Sequence, residues 1–131
     1  MIDGLAAIGW TLAPLRRISS LDDLSRGEFC REALLARSKC DVPVRLRDGR
    51  LLALECKVSH SEINSVKRLN REVGGKADQW RAAFGQQVIP AAVLSGVFKL
   101  GNLEEAQERQ GIALFWEHDL KTLFDFVRSC H

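Results

Sequence analysis

The stretch Asp41-Val42-Pro43-Val44-Arg45-Leu46-Arg47-Asp48-Gly49-Arg50-Leu51-Leu52-Ala53-Leu54-Glu55-Cys56-Lys57-Val58 decides the fold. Val42, Val44 and Leu46 alternate with Asp41, Pro43, Arg45 and Arg47; beyond Asp48-Gly49, Leu52, Leu54, Cys56 and Val58 alternate with Leu51, Ala53, Glu55 and Lys57. An Asp-Gly pair between two runs of period two is a strong hairpin signal. Successive side chains of a strand point to opposite faces, so one buried face requires Val42, Val44 and Leu46 to lie beside Leu52, Leu54 and Cys56. A register with Val44 opposite Leu52 achieves this. It needs an odd loop, with Gly49 in the left-handed conformation, and it sets Asp41 opposite Glu55. A two-residue turn would pair Arg47 with Arg50 and put Asp41 behind the sheet. The buried face normally sets the register, so the odd loop is expected.

Working outward, Ser20 is a suitable N-cap and Asp22 and Asp23 suit the positive end of a helix dipole, which predicts a helix over 21–37. A second helix is expected over 61–84, with a break or bend at Gly74-Gly75. The apolar run from Val88 to Leu94 reads as a buried strand. Asn102 is placed to cap a helix over 103–110 that Gly111 ends, and 112–116 is another apolar strand. His118-Asp119 then opens a last helix with Leu120, Leu123, Phe124 and Val127 on one stripe, the capping position explaining this polar cluster better than a metal site does. Trp80, Phe84, Phe124 and Phe126 read as core. Residues 1–20, interrupted by Pro14, are expected as an N-terminal arm or helix ahead of a domain spanning 21–131. Helices interleaved with strands imply an α/β domain with a mixed sheet.

A chain of 131 residues that is 46% apolar and 27% charged fits one globular domain with a core that needs no staples. The net charge of +2 says little about partners. No apolar run approaches the ~20 residues that a membrane helix requires, so no membrane association is expected. Asp3 stands where a signal peptide needs basic residues, which favours the cytoplasm. Cys30, Cys40, Cys56 and Cys130 contain no C-x-x-C pair, so they read as reduced thiols rather than zinc ligands. No Gly-rich phosphate loop is present, so no nucleotide cofactor is expected. No nucleophile elbow is present either.

In the expected register Asp41 and Glu55 are neighbours on one face and Lys57 lies next along it. Adjacent carboxylates repel unless a cation lies between them, and carboxylate oxygens with water are the ligands that Mg²⁺ prefers. Such an ion activates bound water and neutralises a phosphoryl oxygen, and a nearby ammonium stabilises the charge that develops. The competing reading is a solvated polar face with weak ion pairs. Two observations weigh against it. The charged pair interrupts an otherwise apolar strand, and the segment after it is basic. From Lys57 to Arg81 there are six Lys or Arg residues (57, 67, 68, 71, 76, 81) against three acids. Lys67, Arg68, Arg71 and Lys76 are candidates for phosphate contacts, and Ser61 and Asn64 for a base edge or sugar. His60 reads as a surface histidine.

Asp41 followed by Glu55-Cys56-Lys57 at the end of an apolar strand resembles the PD-(D/E)xK nuclease motif. The stretch from Gly27-Glu28-Phe29-Cys30 to Leu46 resembles XamI-type type II restriction endonucleases in particular. So do Leu54 to Ser59, Asn64 to Lys76, and Phe115-Trp116-Glu117-His118-Asp119-Leu120. The resemblance implies a restriction-endonuclease-like mixed β-sheet flanked by α-helices and a Mg²⁺-dependent endonuclease, with Mn²⁺ as a substitute ion. It also implies double-stranded DNA as substrate and a homodimer matched to palindromic sites. Asp41 and Glu55 would map onto the metal-binding acids, the Cys56 backbone carbonyl onto a further ligand, and Lys57 onto the catalytic lysine. Many members of the superfamily add a Glu from the first core helix. Glu28 is the preferred candidate here, with Glu32 one turn on. Cys40 replaces the motif's proline. The chain is short for a restriction enzyme with its own recognition module, so a catalytic fragment, a truncated gene product and a minimal dimeric enzyme all fit. Two other activities also fit: a structure-specific repair or junction-resolving nuclease on the same core, and an inactive DNA-binding module.

Overall fold

The computed structural model describes all 131 residues. The first half contains α1 (Ile2–Ala7), β1 (Thr11–Leu12), β2 (Arg17–Ile18), β3 (Glu28–Phe29), β4 (Ala33–Leu35), β5 (Ser38–Cys40), β6 (Val42–Arg45) and β7 (Leu51–Ser59). A continuous helical rod follows: α2 (Glu62–Ser65), a π-helical stretch (Val66–Val73) and α3 (Gly74–Phe84). Then come β8 (Val88–Gly96), α4 (Leu100–Glu104) with a π-helical turn (Glu105–Arg109), β9 (Ala113–Trp116) and α5 (Leu120–Ser129).

The hairpin of β6 and β7 is the centre of the fold. Val42 faces Leu54, Pro43 faces Ala53, Val44 faces Leu52 and Arg45 faces Leu51, the register that the buried face demands. Gly49 has φ +96° in a loop closed by the Leu46 N–H donating to the Arg50 carbonyl, the odd loop expected. Asp48 pins that loop by accepting from the Arg50 backbone N–H at 2.9 Å and from its guanidinium at 2.8 Å. The hydrogen bonds from Arg50 hold the Asp48 carboxyl below the ordinary carboxylate value. The unfolded chain therefore binds this proton more readily, and stability from Asp48 is present above the ordinary value and lost as pH falls below it. Asp48→Asn is expected to cost about 0.5–1 kcal/mol at neutral pH. Urea melts should show the gap from the unmodified protein closing in acid.

Around the hairpin, β7 continues parallel to β8 and β8 parallel to β9, while β3 runs antiparallel to β6, giving the six-stranded order β1-β3-β6-β7-β8-β9. The rod over 62–84 is the crossover between the parallel strands β7 and β8. A second sheet, β2-β4-β5, lies apart. The architecture is the expected α/β fold with a mixed sheet flanked by helices. Both faces of β7 are covered. Leu52 and Leu54 join Val42, Val44, Phe29 and Leu123 in one core, and Leu51 and Ala53 join Trp80, Cys40 and Val88 in another.

The helix expected over 21–37 is absent. Ser20 does cap a helical turn, but the turn spans only Leu21–Asp23, closed by the Asp23 carboxylate accepting from the Ser19 and Ser20 N–H groups. Beyond it, buried Ala33 and Leu35 flank the more open Leu34, a strand period that the capping signals masked. Residues 1–20, expected as an arm or helix, place α1 at the start and pair β1 with β3 and β2 with β4, with Leu5 and Trp10 in the core. The rod does not break at Gly74-Gly75, but the π-helical stretch gives way to α-helix there. Gly74 has ordinary helical backbone, and a glycine stands there because the Gln110 amide occupies the space a Cβ would need. Asn102 lies inside α4 rather than capping it, and Lys99 holds the cap position. Cys56, expected on the buried face, is exposed, since its strand outruns β6 there. All four cysteines are free thiols. No helix is long and apolar enough to cross a membrane.

Candidate active site

Asp41 sits where the chain leaves one sheet for the other, between β5 and β6. Strand pairing with β7 stops at Val42, and the Asp41 side chain takes over the edge. Its carboxylate accepts from the Cys56 N–H at 2.8 Å, and its own N–H donates to Glu55 Oε2 at 2.8 Å. The two acids are thus latched to each other's backbone at the open end of the hairpin. The Glu55 side chain is fully buried, and its other oxygen, Oε1, lies 2.5 Å from the Lys76 ammonium. Burial pushes the Glu55 carboxyl up, helped by the charge of Asp41 and opposed by Lys76 and the Asp41 N–H. The Cys56 thiol, next along the strand, is pushed up to about 11 by desolvation and by the charges of Asp41 and Glu55.

Lys57 follows on the same face as Glu55, two residues along β7. Its ammonium lies 3.0 Å from Glu72 Oε2, which Arg68 approaches at 3.7 Å. Burial alone would raise the Glu72 carboxyl, but the bond from Lys57 and the charges of Lys57, Arg68 and Lys67 hold it below its ordinary value. Glu72 was not legible as a site residue, because only the helix–strand packing brings it to Lys57.

The remaining candidates divide by element. Ser61 is the N-cap of α2, accepting from the Asn64 N–H, and Asn64, Lys67 and Arg71 are exposed along the rod with Arg68 beside them. Lys76, expected at a phosphate, has its ammonium on Glu55 instead. Glu28, expected on a helix near the acids, lies on β3. The pairing of Phe29 with Val44 sets Glu28 beside Arg45, at the far end of β6 from Asp41, and its carboxylate accepts from the Ser25 N–H. Glu32 is exposed and pairs with Lys39 at 3.6 Å. His60 is exposed.

The donor set suits a hard cation. Two carboxylates on adjoining strands are held together at a charge cost that a cation would relieve, and the Cys56 carbonyl adds an oxygen. No cluster of three or more His, Cys, Asp or Glu side chains with metal-holding geometry occurs, so side chains would supply two ligands and the backbone and water the rest.

Sheet order, hairpin and acidic pair together define an α/β domain with a polar site at the open end of its two central strands. The solved crystal structure of protein VC1899 from Vibrio cholerae shares this fold, with a TM-score of 0.62 and 13% identity, covering 98% of this chain and 32% of that one. Residues 1–116 match the model of the XamI restriction endonuclease family. The type II restriction enzyme XamI of Xanthomonas campestris pv. amaranthicola is 46% identical over 94 residues, which are 70% of this chain and 34% of that enzyme. The chain belongs to the XamI restriction endonuclease family, and it spans about a third of the length of that curated relative. The match begins at residue 1, ahead of the segments near 26 that carry the resemblance in sequence.

Proposed function

We propose that the chain is the catalytic domain of a divalent-metal-dependent DNA endonuclease of restriction type, with a PD-(D/E)xK site. The observation that carries this reading is the latch between Asp41 and Glu55 at the hairpin end, with Lys57 on the same face. Asp41, Glu55 and the Cys56 carbonyl would hold Mg²⁺, with Mn²⁺ as a substitute. When bound, the ion supplies an activated water and neutralises charge on the scissile phosphate. Lys57 orients the attacking water or stabilises the charge on the phosphoryl oxygens as the leaving oxygen departs. Buried Leu54 and Ala53 keep the strand rigid behind these groups, so their spacing is set before substrate arrives.

Lys67, Arg68 and Arg71 form the phosphate-binding face of the rod, and Ser61 and Asn64 lie at its start. Glu28, on β3 beside Arg45, is too far from Asp41 to join the metal, since the four residues from Asp41 to Arg45 span about 13 Å. Cutting both strands of a palindrome calls for a homodimer. Incubation with plasmid DNA and Mg²⁺, followed by mapping of the ends, tests the whole reading. Defined double-strand ends are expected, and intact plasmid with both Mg²⁺ and Mn²⁺ overturns it. A Lys67→Ala, Arg71→Ala double variant is expected to weaken DNA binding about equally across sequences and to flatten the salt dependence by about two counterions. An unchanged slope in titrations across salt concentrations would remove these two residues from the interface.

A further inference from the structure

The rod carries two charges aimed at the site that the reading above leaves idle. Glu55 and Lys57 are two residues apart on one strand face, a separation of about 6.7 Å. Glu72 and Lys76 are four residues apart on one helix face, about 6 Å. The strand leaves the sheet at Ser59 and the rod returns over it, so the order reverses: Lys57 meets Glu72, and Glu55 meets Lys76. The matched spacings seat both ion pairs at once, with signs alternating around the four groups.

The two pairs differ in what they hold. Glu55 is fully buried, whereas the Lys76 side chain retains 29% of its exposure. A buried carboxylate without a counter-charge is strongly destabilising, so the metal-free fold needs a cation at this point. Both Glu55 oxygens are occupied, Oε2 by the Asp41 N–H and Oε1 by Lys76. Any cation that coordinates Glu55 through Oε1 meets an ammonium already there. The flexible four-carbon stem of Lys76, partly open to solvent, gives that ammonium a way out.

We infer that Lys76 is a built-in counter-cation for Glu55, a positioning residue that keeps the metal-free site folded and that a divalent ion must displace. This rests on Glu55 being a metal ligand. Lys76 therefore lowers the affinity for metal while it stabilises the protein without metal. A lysine with only a packing role would do the second and not the first.

The test uses the full 131-residue chain and Mg²⁺ alone, without DNA. By isothermal titration, Lys76→Met is expected to bind Mg²⁺ at least about tenfold more tightly than the unmodified chain, because the competitor is gone. Its melting temperature should be lower without metal and recover with Mg²⁺. Lys76→Arg, which keeps the cation, should bind Mg²⁺ as the unmodified chain does. Equal or weaker Mg²⁺ binding by Lys76→Met overturns the inference and leaves the metal site intact. Absence of Mg²⁺ binding by both proteins overturns the metal assignment of Glu55 and the inference with it. A measurement on the unmodified chain covers the case in which Lys76→Met does not fold. The ¹⁵N-labelled ammonium signal of Lys76, shielded from water by its ion pair, should be lost as Mg²⁺ is added. Its persistence at saturating Mg²⁺ overturns the displacement.

Discussion

Replacing Lys57 by Ala is expected to lower the rate of DNA cleavage by about two to three orders of magnitude, the scale for removing one preorganised charge-stabilising group. DNA affinity, measured in Ca²⁺ or without metal, should change little, because the groups proposed to contact phosphates lie on the rod. The substitution removes the bond to Glu72, but Glu72 keeps Arg68 at 3.7 Å and is itself partly exposed, so the fold has no buried charge left unpaired. Cleavage and melting temperature therefore separate: the first collapses while the second stays within a few degrees. Equal cleavage rates for the variant and the unmodified protein would remove Lys57 from the chemistry.

The second large effect is on stability. Trp80 is fully buried, packs in the core formed with Ala53, Leu51, Cys40 and Val88, and directs its indole N–H to the Ser38 carbonyl at 3.4 Å. It is the large side chain that joins the rod to the small sheet through β5. Trp80→Ala leaves a cavity between them and is expected to cost about 3–5 kcal/mol. For a domain of this size that lowers the melting temperature by about 10–20 °C. Because Asp41 follows β5 directly, metal affinity measured at a temperature where the variant is still folded should also fall. A melting temperature within 3 °C of the unmodified protein, about 1 kcal/mol, would show that the rod and the small sheet are joined elsewhere.

The central hairpin was legible from residues alone because three signals agreed: the alternation of Val42, Val44 and Leu46, that of Leu52 and Leu54, and the Asp48-Gly49 turn. The opposition of Asp41 and Glu55 followed from parity. The segment over 21–37 reads as helix because its first residues carry true helix-start chemistry. Ser20 and Asp23 do form a capping box, but it serves one turn. What ends it is tertiary: Phe29, Ala33 and Leu35 gain more by pairing in two sheets than by continuing a helix. Charge alone assigns Lys76 to DNA. Its partner Glu55 lies 21 residues away, and only the return of the rod across β7 brings them together. The same holds for Glu72 and Lys57, so the half of the site built by long-range packing stayed hidden while the half built by the hairpin did not.

Both acids and the lysine fall within seventeen consecutive residues closed by a tight loop around Gly49. Ring closure over so short a segment costs little chain entropy and is a local event in folding. The strand that carries Glu55 is also interior to the six-stranded sheet, where opening requires global unfolding. Glu55 and Lys57 thus stand on the strand expected to exchange most slowly, while Asp41, at the junction with the small sheet, keeps its place only as long as that sheet stays packed.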